Sequence, residues 1–285
     1  MYKITHVKRI TDTIVAMDVE APLVAKVAKA GQFIILRIDE TGERIPLTIS
    51  DYDREKGSIA LIIQVVGKTT AKLYGLEAGD TLLDFVGPLG LPTHVAKWGT
   101  VVCIGGGVGT APVYPQAREF KKAGNKVISI VGARNLESLI YEEQMAAVSD
   151  ELIIATDDGS KGHHGFVTQV LQQLIDRGEQ IDHVVAIGPL PMMRAVCQIT
   201  REHQYKTSVS LNSIMVDGTG MCGCCRVKVD DEMRFACVDG PDFDGLTVDF
   251  DELMMRQRRF IPEEKMAFDL YQQSDCRGGC QNCRK

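Results

Sequence analysis

The chain has 285 residues, of which 45% are hydrophobic and 25% charged, with a formal net charge of −6. That length suits about two or three globular domains, and the acidic balance argues against a nucleic-acid binder, which presents a basic face. Residues 1–19 are interrupted by His6, Lys8, Arg9, Asp12 and Asp18, so neither a signal peptide nor a membrane span is expected there. Nine cysteines, clustered late, fit metal binding in a reducing compartment, the cytoplasm, better than a disulfide framework.

Residues 1–97 predict a small antiparallel β-barrel. Runs at 13–19, 32–38, 59–65 and 81–86 are β-rich or alternating, and turn residues separate them. Two stretches carry possible chemistry. Arg44 precedes Pro46, Leu47 and Thr48, which joins a bidentate donor to a strand bearing a hydroxyl. Ile63, Gln64 and Val65 run into Gly67, Thr69 and Thr70, a strand leading through a glycine turn to a helix start. Amides and hydroxyls there suit phosphate. Each stretch alone is a weak signal, because an arginine before a strand is usually a solvated edge residue.

Residues 98–211 predict an α/β nucleotide-binding domain with five parallel strands. A buried-type strand at 100–104 opens directly into Gly105, Gly106, Gly107, Val108, Gly109 and Thr110, then a helix to about Lys122. Strand, glycine turn and helix bring backbone amides to a phosphate, although the spacing departs from the usual dinucleotide fingerprint. Further strands are expected at 126–131, 151–155, 183–187 and 208–211. Ligands to such sheets lie beyond the carboxyl ends of the strands. The candidates at those ends are Arg134, Asp157 and Asp158, and Gly188, Pro189, Met192 and Met193. His163 and His164 read as a solvated turn, and Cys103 and Cys197 as core thiols.

Residues 212–285 predict an iron–sulfur domain and a tail. Asp217, Cys222, Cys225 and Cys237 are spaced Asp-x4-Cys-x2-Cys-x11-Cys. Plant-type 2Fe-2S loops use Cys-x4-Cys-x2-Cys and a distant fourth Cys, so an aspartate stands where the first thiolate would be. Cys224 has the softer donor but is adjacent to Cys225, and neighbouring side chains in an extended loop point apart. The tetrad expected is therefore Asp217, Cys222, Cys225 and Cys237. A zinc knuckle is the competing reading, but zinc takes paired Cys or Cys/His ligands, and no histidine lies in this segment. In the tail, Cys276, Cys280 and Cys283 have ligand-like spacing that equally suits a reduced terminus.

With these blocks in order, the chain resembles the ferredoxin–NADP⁺ reductase superfamily. Within it, the chain is most similar to the branch of dihydroorotate dehydrogenase electron-transfer subunits and the small subunits of the electron-bifurcating NADH-dependent reduced ferredoxin:NADP⁺ oxidoreductases, also known as sulfide dehydrogenases. The resemblance implies that Arg44 holds the FAD pyrophosphate, that Thr48 sits at the isoalloxazine as the catalytic hydroxyl, and that Gly67, Thr69 and Thr70 close around the FAD phosphates. It also implies that Gly106, Gly107 and Asp157 help bind NAD(H) and that the tetrad binds a 2Fe-2S cluster. Leu47 stands where an aromatic often stacks on the flavin. The function implied is electron transfer between NAD(H), FAD and the cluster, to or from a larger flavin and iron–sulfur subunit through which ferredoxin is reached. The rival from another class is a zinc-containing nucleotide sensor. Replacing Arg44 is expected to cost flavin and not iron.

Overall fold

The computed structural model describes residues 1–277, and side chains through 273. Cys280 and Cys283, and the side chain of Cys276, lie outside the described residues.

The first part of the chain builds two antiparallel sheets. Its strands are β1 (Tyr2–Thr11), β2 (Ile14–Glu20), β3 (Phe33–Arg37), β4 (Ile45–Thr48), β5 (Asp51–Asp53), β6 (Ser58–Gln64), β7 (Thr81–Leu82) and β8 (Asp84–Leu89). Helices α1 (Pro22–Val27) and α2 (Lys68–Tyr74) interrupt them. The strand orders are β5-β6-β2-β1-β7 and β4-β3-β8. Strict alternation drives the closure: along β6, Ile59, Leu61 and Ile63 are buried while their neighbours are not. They meet Val15, Met17, Ile34, Leu36 and Phe85 in one core.

The middle part forms a parallel sheet. It contains β9 (Thr100–Gly106), α3 (Thr110–Lys122), β10 (Lys126–Ala133), α4 (Glu142–Val148), β11 (Glu151–Thr156), β12 (His163–His164), α5 (Val167–Asp176), β13 (His183–Ile187), α6 (Leu190–Glu202) and β14 (Lys206–Ser210). Every residue of β9 is buried, as expected of a strand covered on both faces. His163 and His164 form the short edge strand β12 and pair with Ala155 and Thr156, rather than lying in a free turn. Periodicity cannot register so short a strand.

The last part contributes β15 (Arg226–Val229), β16 (Glu232–Phe235), β17 (Asp242–Asp244), α7 (Phe250–Gln257) and α8 (Ile261–Arg277). β17 adds antiparallel to β14, which completes a sheet in the order β12-β11-β10-β9-β13-β14-β17. The C-terminal segment is thereby tied to the parallel sheet by backbone hydrogen bonds. Thr93 donates to Asp242 Oδ2 at 2.6 Å and joins the end of the barrel to the same strand. Among the described residues, no helix is long and apolar enough to cross a membrane.

Barrel and sheet also meet around the glycine turn. Ile10, Ile14 and Ile62 of the barrel pack with Val108, Ala111, Ile140 and Tyr141. Arg118 of α3 donates to Asp51 Oδ1 at 2.7 Å, with its guanidinium over the rings of Tyr52 and Tyr114. The glycine turn after β9 is therefore wedged against the barrel.

Gly109 shows how tight that turn is. A Cβ there would lie 2.3 Å from the carbonyl oxygen of Ile187 in the neighbouring strand. Gly109→Ala must push apart backbone and is expected to cost about 1–3 kcal/mol. A denaturation midpoint equal to that of the parent would show that the strand ends yield without cost.

A candidate nucleotide site and a cysteine loop

At the carboxyl ends of β9, β10, β11 and β13, the sequence candidates gather on one rim. Gly107 adopts a left-handed conformation, φ +56°, with open space around its Cα. Gly106 packs under Met192, a close approach that Gly188 shares. Thr110 starts α3, and its buried Oγ1 has no partner among the described residues. Backbone amides and open space over Gly107 suit a phosphate. Pro189 precedes α6 on the same rim and is exposed. Met193 departs from the expectation, because its side chain is 1% exposed within the main core. In the helix register it falls on the buried face beside Leu190 and Val196.

The rim's charged residues divide their tasks. Asp158 Oδ1 accepts from Ser160 N at 2.9 Å and Ser160 Oγ at 2.6 Å, so this carboxylate closes a turn. The Ser160 hydroxyl and amide hold the Asp158 carboxyl below the usual carboxylate range. Asp157 is exposed and has no side-chain partner among the described residues, which leaves its carboxylate free for a ligand. Arg134 is likewise exposed and unpaired. Lys161 is committed: its Nζ lies 2.7 and 2.8 Å from the two carboxylate oxygens of Glu142.

In the barrel, β4 carries the flavin candidates. Ile45 and Leu47 pack against the barrel core. Alternation places Pro46 and Thr48 on the opposite face, opposite Ile35 and Phe33 of β3. The Thr48 hydroxyl has no partner among the described residues and remains available. Leu47, turned to the core, is no stacking platform for a ring on that opposite face. Ile63 is a core residue, 1% exposed, so only its backbone can meet a ligand; Gln64 beside it and Val65 are half-buried. The Thr70 hydroxyl accepts from Val66 N at 2.9 Å and Gly67 N at 3.0 Å, so it starts α2. Thr69 donates to Glu43, a partner that nothing in the local sequence signals.

Arg44 reaches furthest. Its Nε donates to the carbonyl oxygen of Val216 at 2.9 Å, and Nη1 lies 3.8 Å from Asp84 Oδ2. Val216 immediately precedes Asp217, so the barrel arginine holds the mouth of the cysteine loop. Gly218, at φ +74°, seats that loop on the barrel: a Cβ would meet Leu89 and Ile35 at 2.7 and 2.9 Å.

The loop is organised by Asp217. Its Oδ1 accepts from Thr219 N at 2.9 Å and its Oδ2 from Cys222 N at 2.8 Å. These two amides hold the carboxyl below its usual range. Cys224 Sγ donates to the carbonyl oxygen of Cys222 at 4.0 Å. Cys225 and Cys237 are each 1% exposed, whereas Cys222 is exposed. Burial pushes the Cys237 thiol up to about 12, and the neighbouring Cys225 thiol raises it further. Among the described residues, no three His, Cys, Asp or Glu side chains already converge on one point. The donor set nevertheless fits an iron–sulfur group: several thiols and a carboxylate share one loop whose glycines at 218, 220 and 223 have positive φ. Each carboxylate oxygen retains lone-pair capacity beyond the bond it accepts.

A β-barrel joined to a parallel nucleotide sheet, with a cysteine loop seated on the barrel, defines a pyridine-nucleotide oxidoreductase of the ferredoxin reductase fold with an iron–sulfur module. Residues 212–249 match the iron-sulfur cluster binding domain of dihydroorotate dehydrogenase B, and residues 103–198 match the oxidoreductase NAD-binding domain. The chain belongs to the family of dihydroorotate dehydrogenase B electron transfer subunits and their homologues. It is 44% identical over 263 residues to the dihydroorotate dehydrogenase B (NAD(+)) electron transfer subunit homolog of Thermotoga maritima, covering 92% of this chain and 93% of that one. The electron transfer subunit of Bacillus caldolyticus is 35% identical over 230 residues, 78% of this chain and 87% of the relative. A solved structure of NADH-dependent reduced ferredoxin-NADP oxidoreductase, described for flavin-based electron bifurcation, superposes with a TM-score of 0.90 at 42% identity, covering 95% of this chain and 98% of that one. The ferredoxin reductase in carbazole 1,9a-dioxygenase, at 18% identity and a TM-score of 0.61, covers 72% of this chain and 65% of its own, and shares the fold.

Proposed function

We propose that the chain is the electron-transfer flavoprotein subunit of a flavin-based electron-bifurcating oxidoreductase acting on ferredoxin, NAD(H) and NADP(H). In this reading residues 1–97 hold FAD, residues 98–211 bind NAD(H), and residues 212–285 hold a 2Fe-2S centre that exchanges electrons with a larger partner subunit. The observation that carries it is the Arg44–Val216 hydrogen bond, which fastens the cysteine loop to the barrel strand bearing Thr48. Electron transfer needs its centres close together, and here one arginine touches both elements.

The chain's own residues supply binding and orientation. The amides around Gly107 and the first turn of α3 receive a pyrophosphate, and Asp157 accepts from a ribose hydroxyl. Arg44 retains guanidinium N–H groups beyond the one given to Val216, enough for a phosphate oxygen. Thr48 presents a free hydroxyl to a ring on the outer face of β4. Bound there, a flavin beside an iron–sulfur centre supplies the conversion between two-electron hydride transfer and single-electron transfer. An absorption spectrum of anaerobically purified chain tests the assignment. Flavin and iron–sulfur bands are expected, and a colourless zinc protein would sink it. An electron transfer subunit of dihydroorotate dehydrogenase would share those bands, and the aspartate at position 217 favours the bifurcating reading.

NAD(H) is expected to be preferred over NADP(H), because the free Asp157 carboxylate both accepts from ribose hydroxyls and repels a 2′-phosphate. Asp157→Ser is expected to shift the NADPH-to-NADH ratio of kcat/KM upward by about tenfold, the loss of roughly one charge-assisted hydrogen bond. An unchanged ratio in diaphorase assays would place the ribose elsewhere.

A further inference from the structure

The rim contains a second acidic residue that local sequence reading leaves unmarked. Lys161 is the cation closest in sequence to Asp157, on the loop that follows it. Its backbone is pinned to the end of β11: Lys161 N donates to Thr156 Oγ1 at 3.0 Å, and Thr156 Oγ1 donates to Lys161 O at 2.8 Å. Thr156 directly precedes Asp157, so the lysine stem starts beside the ribose carboxylate. An ammonium so placed would attract the 2′-phosphate that Asp157 repels.

The ammonium is already engaged. Both Glu142 carboxylate oxygens contact Lys161 Nζ, at 2.7 and 2.8 Å. Glu142 is the first residue of α4, directly after the left-handed Tyr141. That tyrosine is itself anchored, donating to Ser50 Oγ at 3.3 Å and packing edge-on against Tyr114. The facing loop is closed by a second bond, from Leu136 N to Ser160 Oγ at 2.8 Å. The ion pair is therefore set by anchored backbone at both ends rather than by two freely moving side chains.

We infer that Glu142 is a positioning residue for nucleotide specificity: by holding the Lys161 ammonium, it keeps the ribose pocket selective for a nucleotide without a 2′-phosphate. This rests on the reading that Asp157 faces the ribose. The pair is about 39% and 37% exposed at its two side chains, so its own strength is small. Its effect is on charge: Glu142→Gln leaves the Lys161 ammonium without its counter-ion. A 2′-phosphate then gains a cation.

The test uses the full chain with its cofactors and two probes, 5′-AMP and 2′,5′-ADP, which differ only in the 2′-phosphate. In titration calorimetry at low salt, E142Q is expected to raise the ratio of the 5′-AMP to the 2′,5′-ADP dissociation constant by about tenfold, equivalent to one charge-assisted contact. The gain should shrink with added salt, because exposed charges are screened. It should vanish in the E142Q/K161A double variant. A gain that survives K161A would not run through Lys161 and would overturn the inference. So would an unchanged ratio in E142Q. D157S separates this failure from that of the underlying reading: if D157S shifts the ratio and E142Q does not, only the role of Glu142 falls. If neither shifts it, the ribose site falls as well.

Discussion

Asp217→Ala is expected to purify with most of its iron–sulfur absorption and iron gone, while Cys224→Ser keeps both. Asp217 performs two tasks in one side chain. It is the donor expected at the head of the Cys-x2-Cys spacing, and its carboxylate also accepts the amides of Thr219 and Cys222. Alanine removes the donor and leaves both amides without their acceptor. Outer partners alone are commonly worth 10–100-fold in metal affinity, about the minimum loss expected here. Asp217→Cys separates the tasks. It restores a soft donor and an all-thiolate set, but sulfur is a weak acceptor and the loop loses its best hydrogen bonds. That variant should regain iron and show an altered spectrum. Cys224 Sγ donates to the Cys222 carbonyl oxygen and is partly exposed, while Cys225 is buried, so the adjacent thiols serve different sides of the loop. Iron content per chain and the visible spectrum, read after anaerobic purification, decide it. A Cys224→Ser protein without a cluster beside an Asp217→Ala protein with one would reverse the ligand assignment.

Arg44→Ala is expected to lose flavin and to lower iron content as well. The sequence alone separates these effects, since Arg44 and Asp217 are far apart along the chain. The structure joins them through Arg44 Nε and the Val216 carbonyl oxygen. A charge-assisted hydrogen bond contributes about 1.5–3 kcal/mol, so FAD affinity should fall by roughly tenfold to a hundredfold. The cluster loop then loses its tie to β4, next to the residue expected to bind iron. Arg44→Lys is the informative companion. It keeps the charge near the phosphates but cannot reproduce the planar fork. FAD should be partly retained in the lysine variant, with iron still low. FAD affinity measured by fluorescence, with iron determined on the same samples, checks both effects. If FAD binding is unchanged in the alanine variant, the pyrophosphate lies elsewhere in the barrel. If iron is unchanged, the bond to Val216 does not support the loop.

Much of this protein was legible before folding, wherever chemistry is enforced at short range. A glycine turn between a buried strand and a helix declares itself, because β9, the turn and α3 are contiguous. The cysteine spacing marks a metal loop, because ligands within one turn must be separated by few residues. Alternation along β6 signals a barrel wall, since the side-chain period of a strand is two. Tertiary structure alone decided which of the marked side chains are free. Ile63 and Met193 lie in plausible ligand stretches, yet their register turns them into the core. Thr70 is spent on starting α2, Asp158 on closing a turn, and Lys161 on Glu142. Pairing β17 with β14, and Arg44 with Val216, joins residues far apart in the chain. Local spacing says which donors a segment owns. Only packing, which brings distant backbone carbonyls and carboxylates within hydrogen-bond reach, settles which of those donors remain for a ligand.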